Sequence, residues 1–198
     1  EQQKVAQFLT SADNKVTLLQ DNREVLTEYK QSMIQQLFSQ NIRFKNIEGR
    51  DFPDWKENKL GEVGKTYGGL TGKTKEDFGK GDLYIQYTQL YSGHVIDTEE
   101  CGLVKISASE TQNQVISGDI FFTTSSETPK EIALSCVLLE EPARELYLNS
   151  FCFGYRLKDK KTVLPQFISY LLKTTIMRKK IIPLAQGSTR YNISKREL

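Results

Sequence analysis

The first 39 residues carry apolar side chains at heptad spacing and contain neither Gly nor Pro. Steps of four and three residues follow a single stripe, which passes through Arg23 and Lys30 at two of its positions. The apolar members of the stripe are Val5, Leu9, Ala12, Val16, Leu19, Leu26, Met33 and Leu37. This pattern predicts a coiled-coil helix over residues 1–39, about 57 Å long at 1.5 Å per residue.

A helix of this length exposes a stripe that a partner helix must cover, and the two basic residues in the stripe help to fix register and partner choice. The alternative is a pair of shorter helices in an ordinary bundle, with a break near Asp21-Asn22.

Residues 40–59 change character and are rich in turn formers, as in Asn46-Ile47-Glu48-Gly49-Arg50. We interpret them as a linker. Phe52, Pro53 and Trp55 are expected to anchor the edge of the next domain.

From residue 60 the pattern becomes strand-like, and later it becomes helical. The predicted strands are Gly61–Tyr67, Leu83–Tyr87, Leu103–Ile106, Ile120–Thr124, Ile132–Leu139 and Ser150–Leu157. A helix is predicted over 165–182, because Pro165 suits a first turn and apolar residues from Phe167 to Ile176 share one face. Strands followed by a helix favour an α+β domain over residues 60–198.

Composition adds that the chain has 198 residues, 38% of them apolar, with one His and three Cys. No apolar run approaches the ~18 residues of a membrane span, and the polar start does not resemble a secretory signal. Three Cys without CxxC spacing are typical of reduced thiols. We therefore expect a cytoplasmic protein.

The net charge of +2 conceals an uneven distribution. Residues 81–150 hold three basic and eleven acidic side chains, net −8, whereas residues 151–198 hold eleven basic and two acidic ones, net +9. Such a basic segment fits contact with a polyanion, since cations placed on phosphates release counterions. A solvated lysine-rich helix face explains the same charge equally well.

Enzyme motifs are incomplete. The run Gly68–Thr74 lacks the first Gly of a P-loop, and no GxSxG is present. Asp54 and Glu57 stand too close together in a turn-rich segment for a nuclease carboxylate pair. We expect no catalytic residue, no metal site and no cofactor in this chain.

Two loops combine Gly, hydroxyl, amide and basic groups in the way that base and phosphate contacts require. One lies within Lys65–Lys75 and the other within Gln186–Asn192, and polar positions between them offer further donors and acceptors. The candidate DNA-binding residues are Lys65, Thr66, Tyr67, Gly68, Gly69, Lys73, Lys75, Gln86, Tyr87, Thr124, Ser125, Gly187, Ser188, Thr189, Arg190 and Tyr191. Taken singly, each of these loops is also consistent with a structural turn.

At this point the chain resembles the specificity (S) subunit of type I restriction–modification systems. The segment Glu1–Leu9 is similar to the start of that family's spacer helix. Residues 33–38, 42–45 and 52–55 resemble the passage from that helix into a target recognition domain. The start, middle and end of such a domain are similar to residues 61–65, 118–120 and 186–194, respectively. Each motif alone is loose, but their order and spacing cover essentially the whole chain.

The resemblance implies a non-catalytic DNA-recognition module that reads half of a split site and docks methyltransferase subunits and, through them, restriction subunits. S-adenosylmethionine, ATP and Mg²⁺ would then be used by those partners. One departure is that a single recognition domain and a single spacer helix are present, since Ser194–Leu198 stops where a second helix would begin. An antiparallel homodimer through the coiled coil would restore the two-domain arrangement.

Two rival hypotheses remain. One is a coiled-coil assembly protein whose globular part binds protein and not DNA. The other is an enzyme, a nuclease or methyltransferase in its own right, which the missing motifs disfavour.

Overall fold

The computed structural model describes residues 1–91 and 93–198. The chain divides into two compact units, Glu1–Asp54 and Trp55–Leu198. The predicted bounds of helix, linker and domain, at 1–39, 40–59 and 60–198, stay a prediction. No helix among the described residues is both long and apolar enough to cross a membrane.

The first unit is dominated by one continuous helix, α1 (Gln2–Phe38). Its 37 residues correspond to a length of about 55 Å. There is no break near Asp21-Asn22, so the alternative of two shorter helices is wrong. No residue of α1 is buried, and the Val and Leu side chains of the stripe between Val5 and Leu26 are each more than half exposed. The helix therefore presents the stripe that the heptads predict.

The rest of the first unit is a turn-rich segment. An isolated bridge joins Lys45 to Asp51, and Gly49 takes a φ of 77° at the turn between them. The Arg43 guanidinium donates to the carbonyls of Phe52 and Pro53 and to the Asp54 carboxylate. These contacts fix the last residues of the unit.

The second unit is built on a four-stranded antiparallel sheet of β1 (Gly64–Gly68), β8 (Cys152–Leu157), β4 (Ile120–Thr123) and β6 (Ser135–Val137), in that order. All residues of β4 and β6 are buried. Both faces of the sheet are therefore covered by other elements.

One face carries a second sheet, in the order β3 (Gly102–Val104), β2 (Phe78–Ile85) and β7 (Leu146–Leu148). Residues Phe121, Cys136 and Cys152 of the first sheet pack with Ile85 and Leu146 of the second. A short helix, α3 (Gln89–Ser92), and a two-stranded ladder of β5 (Ser125–Ser126) with β9 (Tyr191–Asn192) complete this part of the fold.

The other face of the sheet is covered by helices. α4 (Pro165–Leu172) and α5 (Thr175–Ile181) bury Ile168, Leu172 and Ile181 against Phe122 and Phe153. Trp55, at the start of this unit, packs edge-on against Phe167 with ring centroids 5.4 Å apart. The expectation that Trp55 anchors a domain edge is thus confirmed.

Several predicted elements are shorter or divided. Residues 60–63 form a helical turn, α2 (Leu60–Val63), so the first strand begins only at Gly64. The strand predicted over 132–139 is reduced to three residues. The helix predicted over 165–182 breaks at Thr174, whose extended backbone and side-chain bond to the Met177 amide start α5. Strand β7 and the two-residue strands β5 and β9 were not predicted.

A buried carboxylate ties three strands together. Asp119 is fully buried immediately before β4, and its oxygens accept from Arg156 on β8 at 2.6 and 2.8 Å and from the Tyr67 hydroxyl on β1 at 2.6 Å. The Ile116 amide donates to it at 3.0 Å. Burial is the largest cause that raises the pKa of Tyr67, and the Asp119 charge adds to it.

A second ion pair fixes the loop after β1. The Lys73 side chain is only 4% exposed, and its ammonium contacts the Glu110 carboxylate and donates to the Lys105 carbonyl at 2.6 Å. The bond from Lys73, followed by one from Gln112, lowers the pKa of Glu110 to about 2. The loop is thereby tied to the segment around residues 105–112.

We predict that Asp119→Asn lowers the free energy of unfolding by about 3 kcal/mol, because it leaves the Arg156 charge without its counterion. This figure lies at the low end for such pairs, since the Arg156 side chain is 37% exposed. Urea unfolding measures the loss. Asp97→Asn, at an exposed turn, is the matched control with an expected cost below ~1 kcal/mol. Equal losses in the two variants would contradict the role of Asp119.

We also predict a pH dependence from Glu110. Because its pKa is lowered from 4.5 to about 2 on folding, its stabilising effect is complete above pH 4.5 and is lost as the pH falls toward 2. Lys73→Met should raise the Glu110 pKa toward 4.5 in an NMR titration of the side-chain carboxyl carbon. An unchanged Glu110 pKa in that variant would rule out Lys73 as the main cause.

Candidate DNA interface

Four loops converge on one edge of the four-stranded sheet. Strands β1 and β4 end at this edge and strands β8 and β6 begin there, because Gly68 pairs with Phe153 and Phe122 pairs with both Phe153 and Ser135. We call the set of loops 68–75, 124–126, 149–151 and 187–191 the loop edge. Three of the four contain residues predicted from sequence to contact DNA.

Loop 68–75 is held by backbone bonds to the two residues that flank loop 149–151. The Gly69 amide donates to the Cys152 carbonyl at 3.2 Å, and the Leu70 amide donates to the Leu148 carbonyl at 2.8 Å. A Cβ at Gly69 would lie 2.1 Å from the Asn149 carbonyl oxygen, so a side chain at this position would clash with backbone. The two loops are therefore in direct contact, as only a glycine allows.

Loop 187–191 is a hairpin tip joined to loop 124–126. Gln186 and Asn192 exchange two backbone bonds of 2.8 Å, and the Ile193 amide donates to the Thr124 carbonyl at 2.9 Å. Gly187 adopts a φ of 119°, which favours glycine, and a Cβ there would meet the Arg190 carbonyl at 2.1 Å. The tip residues 187–190 are all exposed, so their side chains face solvent.

Tyr87 joins the same edge from the second sheet. Its hydroxyl donates to the Ser125 carbonyl and lies 2.6 Å from the Tyr91 hydroxyl. Burial raises the pKa of Tyr87, while the nearby Arg190 charge acts in the opposite direction. The neighbouring Gln86 uses its side-chain amide to donate to the Glu100 carbonyl.

Other predicted contacts do not reach this edge or are already engaged. Lys65 pairs in register with Arg156 toward the opposite end of β1, and the Thr66 hydroxyl donates to the Lys195 carbonyl. The polar atoms of Tyr67 and Lys73 are bonded inside the domain. A DNA contact by these residues stays a prediction that their present bonds do not favour.

The hydroxyls of Thr124 and Ser125 are buried and have no hydrogen-bond partner among the described residues. The Ser126 hydroxyl, in contrast, donates to the Glu131 carboxylate at 3.2 Å and accepts from the Thr128 amide at 3.1 Å.

Several basic side chains of 151–198 are engaged in hydrogen bonds within the domain. Five of the eleven donate to backbone carbonyls of this domain, and Arg156 binds Asp119 as well. These five are Arg156, Lys158, Lys160, Lys173 and Arg178. The Arg178 guanidinium donates to three of these carbonyls, those of residues 130, 132 and 133, and burial lowers the pKa of Arg178. Much of the positive charge of residues 151–198 therefore holds loops of this domain in place.

Sequence reasoning missed residues at the centre of the loop edge. Phe151 is 58% exposed at the turn between β7 and β8, beside Asn149 and Ser150. The Lys195 ammonium lies near Gly68, 3.6 Å from the point where a Cβ would stand. The pair Asn149-Ser150 indicates a turn, but β7 was not predicted, so the strand that precedes this turn was missing from the sequence prediction.

Within residues 1–91 and 93–198, no three His, Cys, Asp or Glu side chains form a group that could hold a metal ion. The thiols of Cys101, Cys136 and Cys152 are free, and burial raises the pKa of each.

Comparison with known proteins places residues 53–198 in one family. The model of the type I restriction modification DNA specificity domain matches this segment. A comparison with curated proteins found no match. One similar solved structure is the S subunit of a type I restriction–modification system from M. genitalium, with 14% identity over 77% of this chain and 33% of that one, and a TM-score of 0.46.

A second structure, described as the basis of complex assembly and conformational transition of the type I R-M system, has 19% identity over 92% of this chain and 43% of that one, with a TM-score of 0.48. This chain thus spans less than half the length of either structure. Since the family match covers well over half of its 198 residues, the chain belongs to the family of type I restriction–modification DNA specificity domains.

Proposed function

We propose that residues 55–198 read one half of a split DNA site and so select the sequence that methyltransferase subunits modify. The observation that carries the proposal is the loop edge, where loops from distant parts of the family-matched segment meet. Loops on a rigid sheet are typical positions for residues that bind ligands.

The loop edge supplies the two kinds of contact that sequence recognition needs. Lys75, Arg190 and Lys195 are exposed cations in or beside its loops and can position phosphates. Ser188, Thr189 and Ser150 are exposed side chains at loop tips that can donate to or accept from base edges. The phosphate contacts supply affinity, and the base contacts supply sequence preference.

In this proposal the chain itself carries out no bond-making step. Adenine methylation with S-adenosylmethionine, and the use of ATP and Mg²⁺, are assigned to methyltransferase and restriction subunits. The chain contributes the choice of sequence and a surface on which methyltransferase subunits dock.

For α1 we propose antiparallel pairing with a helix of matching pattern, which a second copy of this chain can supply. The stripe is symmetric about Asp21, so that each of its positions lies opposite another. The opposed pairs are Val5 with Leu37, Leu9 with Met33, Ala12 with Lys30, Val16 with Leu26, and Leu19 with Arg23. In this register Lys30 lies beside the partner's Asp13, which offers a favourable charge pair.

The deciding experiment is to map methylated adenines in cells that carry this chain together with its methyltransferase. A bipartite motif that changes when residues 61–194 are exchanged for those of a relative supports the proposal. The absence of any motif, combined with nuclease-resistant capture of protein partners, would instead favour an assembly protein that does not bind DNA.

We predict that binding to duplex DNA weakens steeply with salt and that Lys75→Ala and Arg190→Ala each reduce the slope of log K against log[salt] by about 0.9. Fluorescence anisotropy over a salt series measures the slope. Lys161→Ala, an exposed cation near the opposite end of β8, is the control with an unchanged slope. If all three variants behave alike, the loop edge is not the binding surface.

We predict that the chain dimerises at micromolar concentration and that Arg23→Leu tightens the dimer by ~10-fold or more, because an apolar side chain replaces a charge opposite Leu19 at both symmetric positions of the stripe. Sedimentation equilibrium gives the Kd. Gln31→Leu, next to the stripe but outside it, should leave the Kd unchanged. A monomer at tens of micromolar would contradict self-pairing.

A further inference from the structure

A groove of about 460 Å³ opens at the loop edge between loop 68–75 and the turn that carries Phe151. Its walls combine apolar rings with polar groups at the rim. The lining residues that matter here are Leu70, Thr74, Lys75, Phe78, Tyr84 and Phe151. A groove of this size falls in the range of ~300–1,000 Å³ found for small-ligand sites.

The turn that presents Phe151 is fixed by its backbone. The Phe151 amide donates to the Asn149 side-chain oxygen at 2.8 Å, and the Phe151 carbonyl accepts from the Thr124 amide at 3.0 Å. The Cys152 amide donates to the Asn149 carbonyl at 3.1 Å. A large aromatic ring is thus held in solvent by a turn whose own bonds do not involve the ring.

The opposite part of the groove is also aromatic. Phe78 and Tyr84 form an edge-to-face pair with centroids 5.2 Å apart, and Phe78 is 37% exposed. Leu70 also lines the groove and is buried. An entering planar group would therefore meet aromatic carbon on more than one side.

Polar groups at the rim set the chemistry of the occupant. Lys75 is exposed and supplies a positive charge, and Thr74 and Ser150 bring hydroxyls. An occupant with a flat aromatic part and an attached anionic group matches this arrangement. A nucleotide has both, and the groove is continuous with the loops to which DNA binding is assigned.

We propose that this groove receives one nucleobase unstacked from the duplex, with Phe151 as its stacking platform and Lys75 near its phosphate. The inference rests on the proposed function. Stacking of a displaced base on an aromatic side chain compensates for part of the lost stacking in the duplex. The domain would then read how readily one base leaves the stack, in addition to base edges.

The test is a double-mutant cycle that combines substitution of Phe151 with removal of single bases from the DNA site, and it measures binding affinity. The protein, assembled with its methyltransferase, is titrated with duplexes that carry the mapped site, each with one abasic nucleotide. Phe151→Ala should weaken binding to the intact duplex ~10-fold or more. On the duplex abasic at the receiving position the same substitution should have no effect, because no base is left to stack.

Two further variants separate the proposal from trivial causes. Phe151→Trp keeps an aromatic platform and should retain most of the affinity. Phe167→Ala removes another partly exposed aromatic ring, on α4, and should leave the affinity unchanged. Thermal unfolding of Phe151→Ala should match the wild type, since the bonds of the turn are backbone or Asn149 bonds.

The inference is overturned if Phe151→Ala binds the intact duplex as well as the wild type, or if its loss is the same on every abasic duplex. In either case salt-dependent binding that Lys75→Ala and Arg190→Ala still weaken would leave the proposed function standing. If the wild type binds none of the duplexes, both proposals fail together.

Discussion

The geometry of the recognition domain depends on one buried carboxylate. Asp119 binds Arg156 and Tyr67, so it connects the three neighbouring strands β4, β8 and β1. The Tyr67 ring lies over Gly154, where a Cβ would come within 2.1 Å of it, and this contact fixes the pairing of β1 with β8. A slip by one residue would turn these side chains to the other face of the sheet. The same pairing brings the strand ends, and with them the loop edge, into place.

The placement of charge shows why net charge is a weak guide to a binding surface. The +9 segment looked like a footprint for a polyanion, yet five of its eleven basic side chains bind backbone carbonyls within the fold. Such bonds satisfy carbonyls that irregular loops leave without a partner. A count of Lys and Arg along a sequence cannot separate these internal donors from the few exposed cations at the loop edge, because the distinction depends on contacts between distant segments.

The sequence predicted the elements whose signal is local. Heptads from Val5 to Leu37 predicted the long helix, and each of the six predicted strands overlaps an observed strand whose ends differ from the predicted ones. The sequence also predicted three of the four loops that meet at the edge. It did not predict that Tyr67 and Lys73 are engaged inside the domain, since their partners Asp119 and Glu110 lie 52 and 37 positions away. Phe151 was predicted to lie in a strand, because the sequence does not distinguish an exposed aromatic residue just before a strand from a buried one within it.

The way in which the loop edge is held also bears on how specificity can change. Its loops are joined through main-chain bonds and through the close approach at Gly69, and Gly187 shapes one loop tip, while the side chains at 150, 151 and 188–190 are exposed and support little of the fold. Substitutions at these tips therefore carry a small stability cost. A new DNA preference can arise by a few exchanges on an unchanged scaffold, which makes the domain readily evolvable. The constraint falls instead on the two glycines: a side chain at Gly69 would push loops 68–75 and 149–151 apart, and one at Gly187 would distort the 187–191 tip.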